Sequence, residues 1–158
     1  MTLTTYDEEL CRKLEPNVST TGERFEVLMR CKELGIPTLV WMTPILPFIN
    51  DTRENIEGLL GYCLQAGVQG ILVFDVGVTL REGDREYFYQ ALDRDFPGIR
   101  QKYISAYGNA YDIPSPYSKE LMALIQNTCT ANGMLCSPKE CFTYLHEFPE
   151  RYVQQTLF

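Results

Sequence analysis

GIPTLVWMTPILPFIND, residues 35–51, changes character midway without an intervening polar loop. Residues 36–42 are apolar and partly β-branched, as in a strand covered on both faces. Pro44 and Pro47 then remove two backbone donors and forbid a continuing ladder or helix. Asn50, Asp51 and Thr52 follow as a ready cap for the next helix. A buried strand therefore ends in a stiff, apolar, proline-set loop that feeds a helix. In parallel α/β proteins, ligands bind at such strand C-termini.

The neighbouring segments extend this pattern. A helix is expected over 52–66, with Ile56, Leu59, Leu60, Cys63 and Leu64 at core spacing and Gly67 at its end. GILVFDV at 70–76 reads as a second buried strand, so 36–75 makes one βαβ unit with a right-handed crossover. Upstream, Thr5 and Glu8 resemble a capping box for a helix over 6–14, which Glu15, Pro16 and Asn17 stop. A helix over 23–34 would place Val27, Leu28, Cys31 and Leu34 on one side, with Gly35 just past its end.

Downstream, 77–81 reads as another strand-end loop. Helices are expected over 84–96, 99–107, 115–132 and 138–147, the third capped by Ser115 with Pro116 in its first turn. Two strands, or three with residues 3–5, carry many helices. Such a narrow parallel sheet leaves its edges open, which points to part of a larger barrel or to a sheet completed by another chain.

A chain of 158 residues, 45% hydrophobic, can bury a core and is globular rather than disordered. Its net charge of −7 argues against direct nucleic-acid binding and against attraction to anionic membranes. No apolar run is long enough to span a bilayer, and MTLTTYDEEL has neither the charge nor the apolar core of a signal peptide. The expected location is cytoplasmic, with no membrane partner. The six cysteines follow no CxxC or CxxxCxxC spacing and read as reduced structural residues. Cys136, Cys141 and His146 could form a partial metal set, but their intervals match no zinc pattern.

Four segments together resemble the C-terminal half of a radical SAM enzyme, in the subgroup related to spore photoproduct lyase. They are TTYDEELCRKLEPNV at 4–18, ERFEVLMRCKELGIPTLVWMTPILPFIND at 23–51, GVTLREGDREYFYQALDRDFPGIRQKYISAYGN at 77–109 and YLHEFPE at 144–150. The resemblance implies an α/β fold: the C-terminal portion of a partial (βα)6 TIM-type barrel with a helical C-terminal extension. Residues 1–82 would be the βα units, 83–148 the extension and 149–158 a flexible tail. Thr4 and Thr5 would close the fourth strand, with 36–42 the fifth and 70–76 the sixth.

In that family, a CxxxCxxC loop binds a 4Fe–4S cluster that cleaves S-adenosylmethionine to a radical. That loop has no counterpart in this sequence, so the cluster is not expected on this chain, nor radical chemistry by it alone. The implied partner is the missing N-terminal half-barrel, or a second copy. The resemblance also implies the cosubstrate wall. Thr4 and Thr5 would donate to the ribose or methionine end, and Arg24 would pair with the carboxylate. Pro44, Ile45 and Leu46 would pack on the adenine.

Each of these residues has a plainer reading. Arg24 fits equally a solvated helix residue paired with nearby acids, and Pro44 and Ile45 fit ordinary packing. Asp75, an acid ending an apolar strand, reads as functional or as a structural partner of Arg81 or Arg85. Tyr87, Phe88, Tyr89, Tyr103, Tyr107 and Tyr111 read as an aromatic covering layer, with base stacking as the alternative. Gln154-Gln155-Thr156-Leu157-Phe158 resembles the short peptide by which bacterial proteins dock on the DNA polymerase sliding clamp. A stand-alone interaction module that kept the half-barrel without catalysis is the rival to the enzyme-fragment reading.

Overall fold

The computed structural model describes residues 1–147. The tail over 149–158, with the peptide that resembles a clamp-docking motif, lies outside the described residues.

The chain is α/β. Strand β1 (Leu39–Trp41) pairs in parallel with β2 (Gly70–Leu72), Val40 opposite Ile71. Two further segments extend this sheet as parallel bridges, Thr2 beside Trp41 and Leu135 beside Gly70. The first is closed by Trp41 N to Met1 O (2.8 Å) and Leu3 N to Trp41 O (3.0 Å). The four segments thus lie side by side in chain order. Gly70 permits the last pairing, since a Cβ there would lie 2.6 Å from the Leu135 carbonyl oxygen.

Helices α1 (Glu8–Leu14) and α2 (Thr21–Glu33) separate the first two segments, and α3 (Arg53–Ala66) separates β1 from β2. Asp7, not Thr5, caps α1, accepting from Leu10 N at 2.7 Å. The capping box opens α2 instead, where the Thr20 hydroxyl takes Glu23 N and the Glu23 carboxylate takes Thr20 N. Thr52 caps α3, so the expected capping roles of Asn50 and Asp51 fall away. Gly35 follows α2 at φ +66, as expected.

Strand β1 is shorter than 36–42. The Ile36 N–H is taken by Cys31 O at the end of α2, and Pro37 has none to give. It is covered fully on one face only. Val40, Met42, Ile71 and Val73 are buried with Ile56, Leu59 and Cys63 of α3. On the opposite parity, Trp41 and Phe74 are exposed. The expected buried side of α2 also shifts, because Leu28 is buried whereas Val27 and Leu34 are exposed.

After β2 the chain makes an antiparallel pair, β3 (Gly77–Thr79) with β4 (Asp112–Pro114). Between them run α4 (Asp84–Asp95) and α5 (Ile99–Tyr107). Leu80, Tyr89, Leu92, Tyr103 and Ile113 form a second core there. Helix α6 (Ser118–Ala131) returns to the first core through Leu121, Ile125 and Cys129. Helix α7 (Pro138–His146) packs on β2. The residues expected as one helical extension therefore divide between two cores.

Residues 42–51 join those cores. Met42 and Ile45 belong to the first, while Phe48 and Ile49 pack on the second. Phe48 holds φ +63, a costly conformation for a bulky residue. Its ring is fixed edge-on to Tyr103, with centroids 5.6 Å apart. The buried Tyr103 hydroxyl donates to Pro47 O at 2.8 Å.

Candidate functional site at the strand tips

The residues following Thr2, β1 and β2 meet at one end of the sheet, the end where ligands collect in parallel α/β folds. Two hollows open there on either side of Pro44, which lines both. A cleft of 190 Å³ is bounded by Thr4, Glu15, Pro44 and Asn50. A hollow of 650 Å³ is bounded by Thr43, Pro44, Phe74, Asp75 and Asp112.

Asn50 lines the cleft, and Asn55 of α3 bonds to Asn50 and to the same backbone. Asn50 Nδ2 donates to Thr4 O and to Thr5 Oγ1, each at 3.0 Å, and Asn50 Oδ1 accepts from Leu46 N at 2.5 Å. Asn55 Nδ2 donates to Thr4 O (3.0 Å) and Asn50 O (2.9 Å), and its Oδ1 accepts from Tyr6 N at 2.6 Å. Backbone leaving a strand has lost its ladder partners, and these side chains replace them. The end of the first segment is thereby locked to the loop after β1.

The wall carries a charge. Thr4 Oγ1 donates to Glu15 Oε1 and Arg24 Nη2 donates to Glu15 Oε2, both at 2.5 Å. Arg24 Nη1 also reaches Thr2 O at 3.3 Å, and the Arg24 side chain is 11% exposed. Burial works against the Glu15 charge, but the hydrogen bonds from Arg24 and Thr4 and the nearby guanidinium hold its carboxyl below the usual range. The result is an ionised acceptor facing the cleft.

The expected residues thus fall into two groups. Thr4, Pro44 and Asp75 line the hollows. Thr5 and Ile45 are wholly buried, Thr5 bonded to Asn50 and Ile45 inside the first core. Arg24 stands behind Glu15, already paired, so it meets a ligand carboxylate only by leaving that partner. Asp75 does not pair with Arg81 or Arg85. Its Oδ1 takes Val76 N at 2.7 Å and the Ser118 hydroxyl. Arg81 is bound to Tyr111, and Arg85 to the carbonyls of Leu80, Gly108, Asn109 and Ala110.

Glu15 was not among the expected site residues. A signal for it existed: an acid at the C-cap of α1 opposes the helix dipole and needs a cationic partner. The aromatic layer is split. Tyr89 and Tyr103 are buried in the second core, while Tyr87 and Tyr111 are exposed. All six cysteines are free thiols, and burial pushes the Cys63 thiol up to about 12. No helix among the described residues is long and apolar enough to cross a membrane.

No family model matches the chain, and no solved structure matches it. Curated mycobacterial proteins do. "Uncharacterized protein Rv2578c" of Mycobacterium tuberculosis and "Uncharacterized protein Mb2609c" of Mycobacterium bovis are each 30% identical to it over 121 residues. The matched region is 77% of this chain and 35% of each relative. The chain thus spans about a third of the length of the curated relatives it matches.

Proposed function

We propose that this chain is the C-terminal portion of a partial (βα)6 barrel of the radical SAM type. It supplies part of the wall that holds S-adenosylmethionine and the substrate. One observation carries the reading: residues 1–3, β1 and β2 run parallel in chain order, with helices between them and polar groups gathered at their C-terminal ends. Consecutive βα units of a barrel have this arrangement.

The side chains at the cleft suit one end of the cosubstrate. The ionised Glu15 accepts from ribose hydroxyls or an α-ammonium group, and its charge favours a sulfonium cation. Pro44, exposed between the two hollows, offers an apolar surface to the adenine. At 190 Å³ the cleft falls below the roughly 300–1,000 Å³ of a complete ligand pocket, so it receives only part of the molecule.

The described residues gather no ligand set for a 4Fe–4S cluster. Among the described residues, no three His, Cys, Asp or Glu side chains are gathered to hold a metal ion. In this reading the chain binds and orients the cosubstrate. The rest of the wall would come from an N-terminal half-barrel. Trp41 and Phe74 are 39% and 58% exposed beside Phe142, and this aromatic face supports such a partner.

Equilibrium dialysis with S-adenosylmethionine tests the reading. Saturable binding in the millimolar range is expected, with loss in a folded Glu15→Gln variant. Equal binding by that variant, or no saturable binding by the folded chain, overturns the proposal.

A further inference from the structure

We propose that a hollow at the seam of the two cores binds a free α-amino acid with an apolar side chain. Its ammonium group would sit on Asp51 and its carboxylate at Lys102. The hollow measures 480 Å³, within the roughly 300–1,000 Å³ of a complete small-molecule site. It shares no lining residue with the two hollows at the strand tips. The loop after β1 brings Phe48 and Asp51 to it, α5 brings Lys102, and α6 with its N-cap brings Leu121 and Tyr117. Leu121 belongs to the first core and Phe48 packs on the second.

Asp51 is the deciding group. It is 3% exposed, and its Oδ2 accepts from the Ser115 hydroxyl at 2.5 Å. Its Oδ1 has no hydrogen-bond partner among the described residues. Nor is that oxygen sealed in the core. The Tyr89 hydroxyl is the one sealed side-chain polar group left unpartnered among the described residues. Oδ1 therefore opens on the hollow that Asp51 lines. A carboxylate so buried, with one oxygen fixed and the other open, calls for a donor at the open one. A charged N–H donor meets that need best.

The other charges on the hollow choose the ligand. Arg53 is committed, 2.8 Å from Glu57 and 3.3 Å from Glu120. Lys102 is exposed and makes no salt bridge among the described residues. One buried anion and one exposed cation thus line the same hollow, each without an ionic partner among those residues. A simple cation would meet repulsion from Lys102 and Arg53, and a simple anion from Asp51 and Glu120. A zwitterion answers both free charges. Phe48, Tyr117 and Leu121 offer apolar surface to its side chain. The desolvated contact at Asp51 should carry more of the affinity than the solvent-screened one at Lys102.

Calorimetric titration of the full chain with L-phenylalanine tests this. Two analogues accompany it: phenethylamine, which lacks the carboxylate, and hydrocinnamate, which lacks the ammonium group. L-Phenylalanine should saturate in the millimolar range. Hydrocinnamate should bind roughly tenfold more weakly or worse, since it leaves Asp51 unmet. Phenethylamine should bind about threefold more weakly, the loss expected for one exposed ion pair. Lys102→Gln, an exposed change, should impose that same loss on L-phenylalanine and leave phenethylamine unaffected. Asp51→Asn keeps an acceptor for the Ser115 hydroxyl and should weaken L-phenylalanine as much as removing its ammonium group does. Glu15→Gln should bind L-phenylalanine like the unsubstituted chain, which separates this site from the proposed S-adenosylmethionine cleft. The proposal is overturned if hydrocinnamate binds as well as L-phenylalanine, or if Lys102→Gln leaves L-phenylalanine unaffected. Loss of binding in Glu15→Gln, or no saturable binding by the folded chain, overturns it equally.

Discussion

The Ser115 hydroxyl donates to the Asp51 carboxylate at 2.5 Å, joining positions 64 residues apart in a buried contact. Asp51 ends the loop after β1, and Ser115 follows β4 at the entry to α6. The pair therefore ties the first core to the element that re-enters it from the second. Each single change, Asp51→Ala or Ser115→Ala, should cost about 1–3 kcal/mol in urea unfolding, because the partner is left unsatisfied. A double-mutant cycle should show coupling, and additive losses would sever the pair from stability.

Asn50 holds three groups with one side chain: Thr4 O, Thr5 Oγ1 and Leu46 N. Asn50→Asp keeps the acceptor for Leu46 N and sets a carboxylate oxygen against Thr4 O. It should destabilise as strongly as Asn50→Ala, at about 1–3 kcal/mol for each buried group left unpaired. Hydrogen exchange would show amide protection falling first in residues 44–50. A loss spread evenly over both cores would contradict this local role.

Much of this was legible beforehand. Of Ile56, Leu59, Leu60, Cys63 and Leu64, read by spacing as the buried face of α3, the first four are buried and Leu64 is exposed. The two prolines correctly end the ladder after Met42. What remained hidden depends on tertiary contact. Strand β4 is three residues, Asp112–Pro114, too short and too proline-limited to signal a strand without Gly77–Thr79 beside it. Ser115 has the composition of a helix cap, yet its hydroxyl accepts from Tyr117 N and donates to Asp51, and α6 begins later. Glu15 gained its role only when the fold brought Thr4 and Arg24 to it.

The Glu15 carboxyl sits below its ordinary value of 4.5 in the folded chain. A depressed acid contributes stability that is present above its unfolded value and lost as pH falls through the folded one. Melting temperature should therefore drop more steeply for the unsubstituted chain than for Glu15→Gln once pH passes below 4.5. Parallel curves down to acid unfolding would show that Glu15 carries no such linkage.

Trp41 is the single tryptophan, and its exposed ring lies 5.9 Å from Phe74 and 6.4 Å from Phe142. Phe142→Ala should shift its emission to the red by admitting water. Engagement of the proposed N-terminal half-barrel should shift it to the blue. A blue shift with rising concentration of the chain alone would identify a second copy as the occupant instead.

The tips of the three parallel segments are proposed to form part of an S-adenosylmethionine wall. Amide chemical-shift mapping during titration with S-adenosylmethionine tests this. Saturable shifts are expected, confined to residues 4–6, 15 and 43–51, together with those around Asp75, which line or support the two hollows. Shifts centred on α4 and α5, or none at saturating ligand, would contradict it.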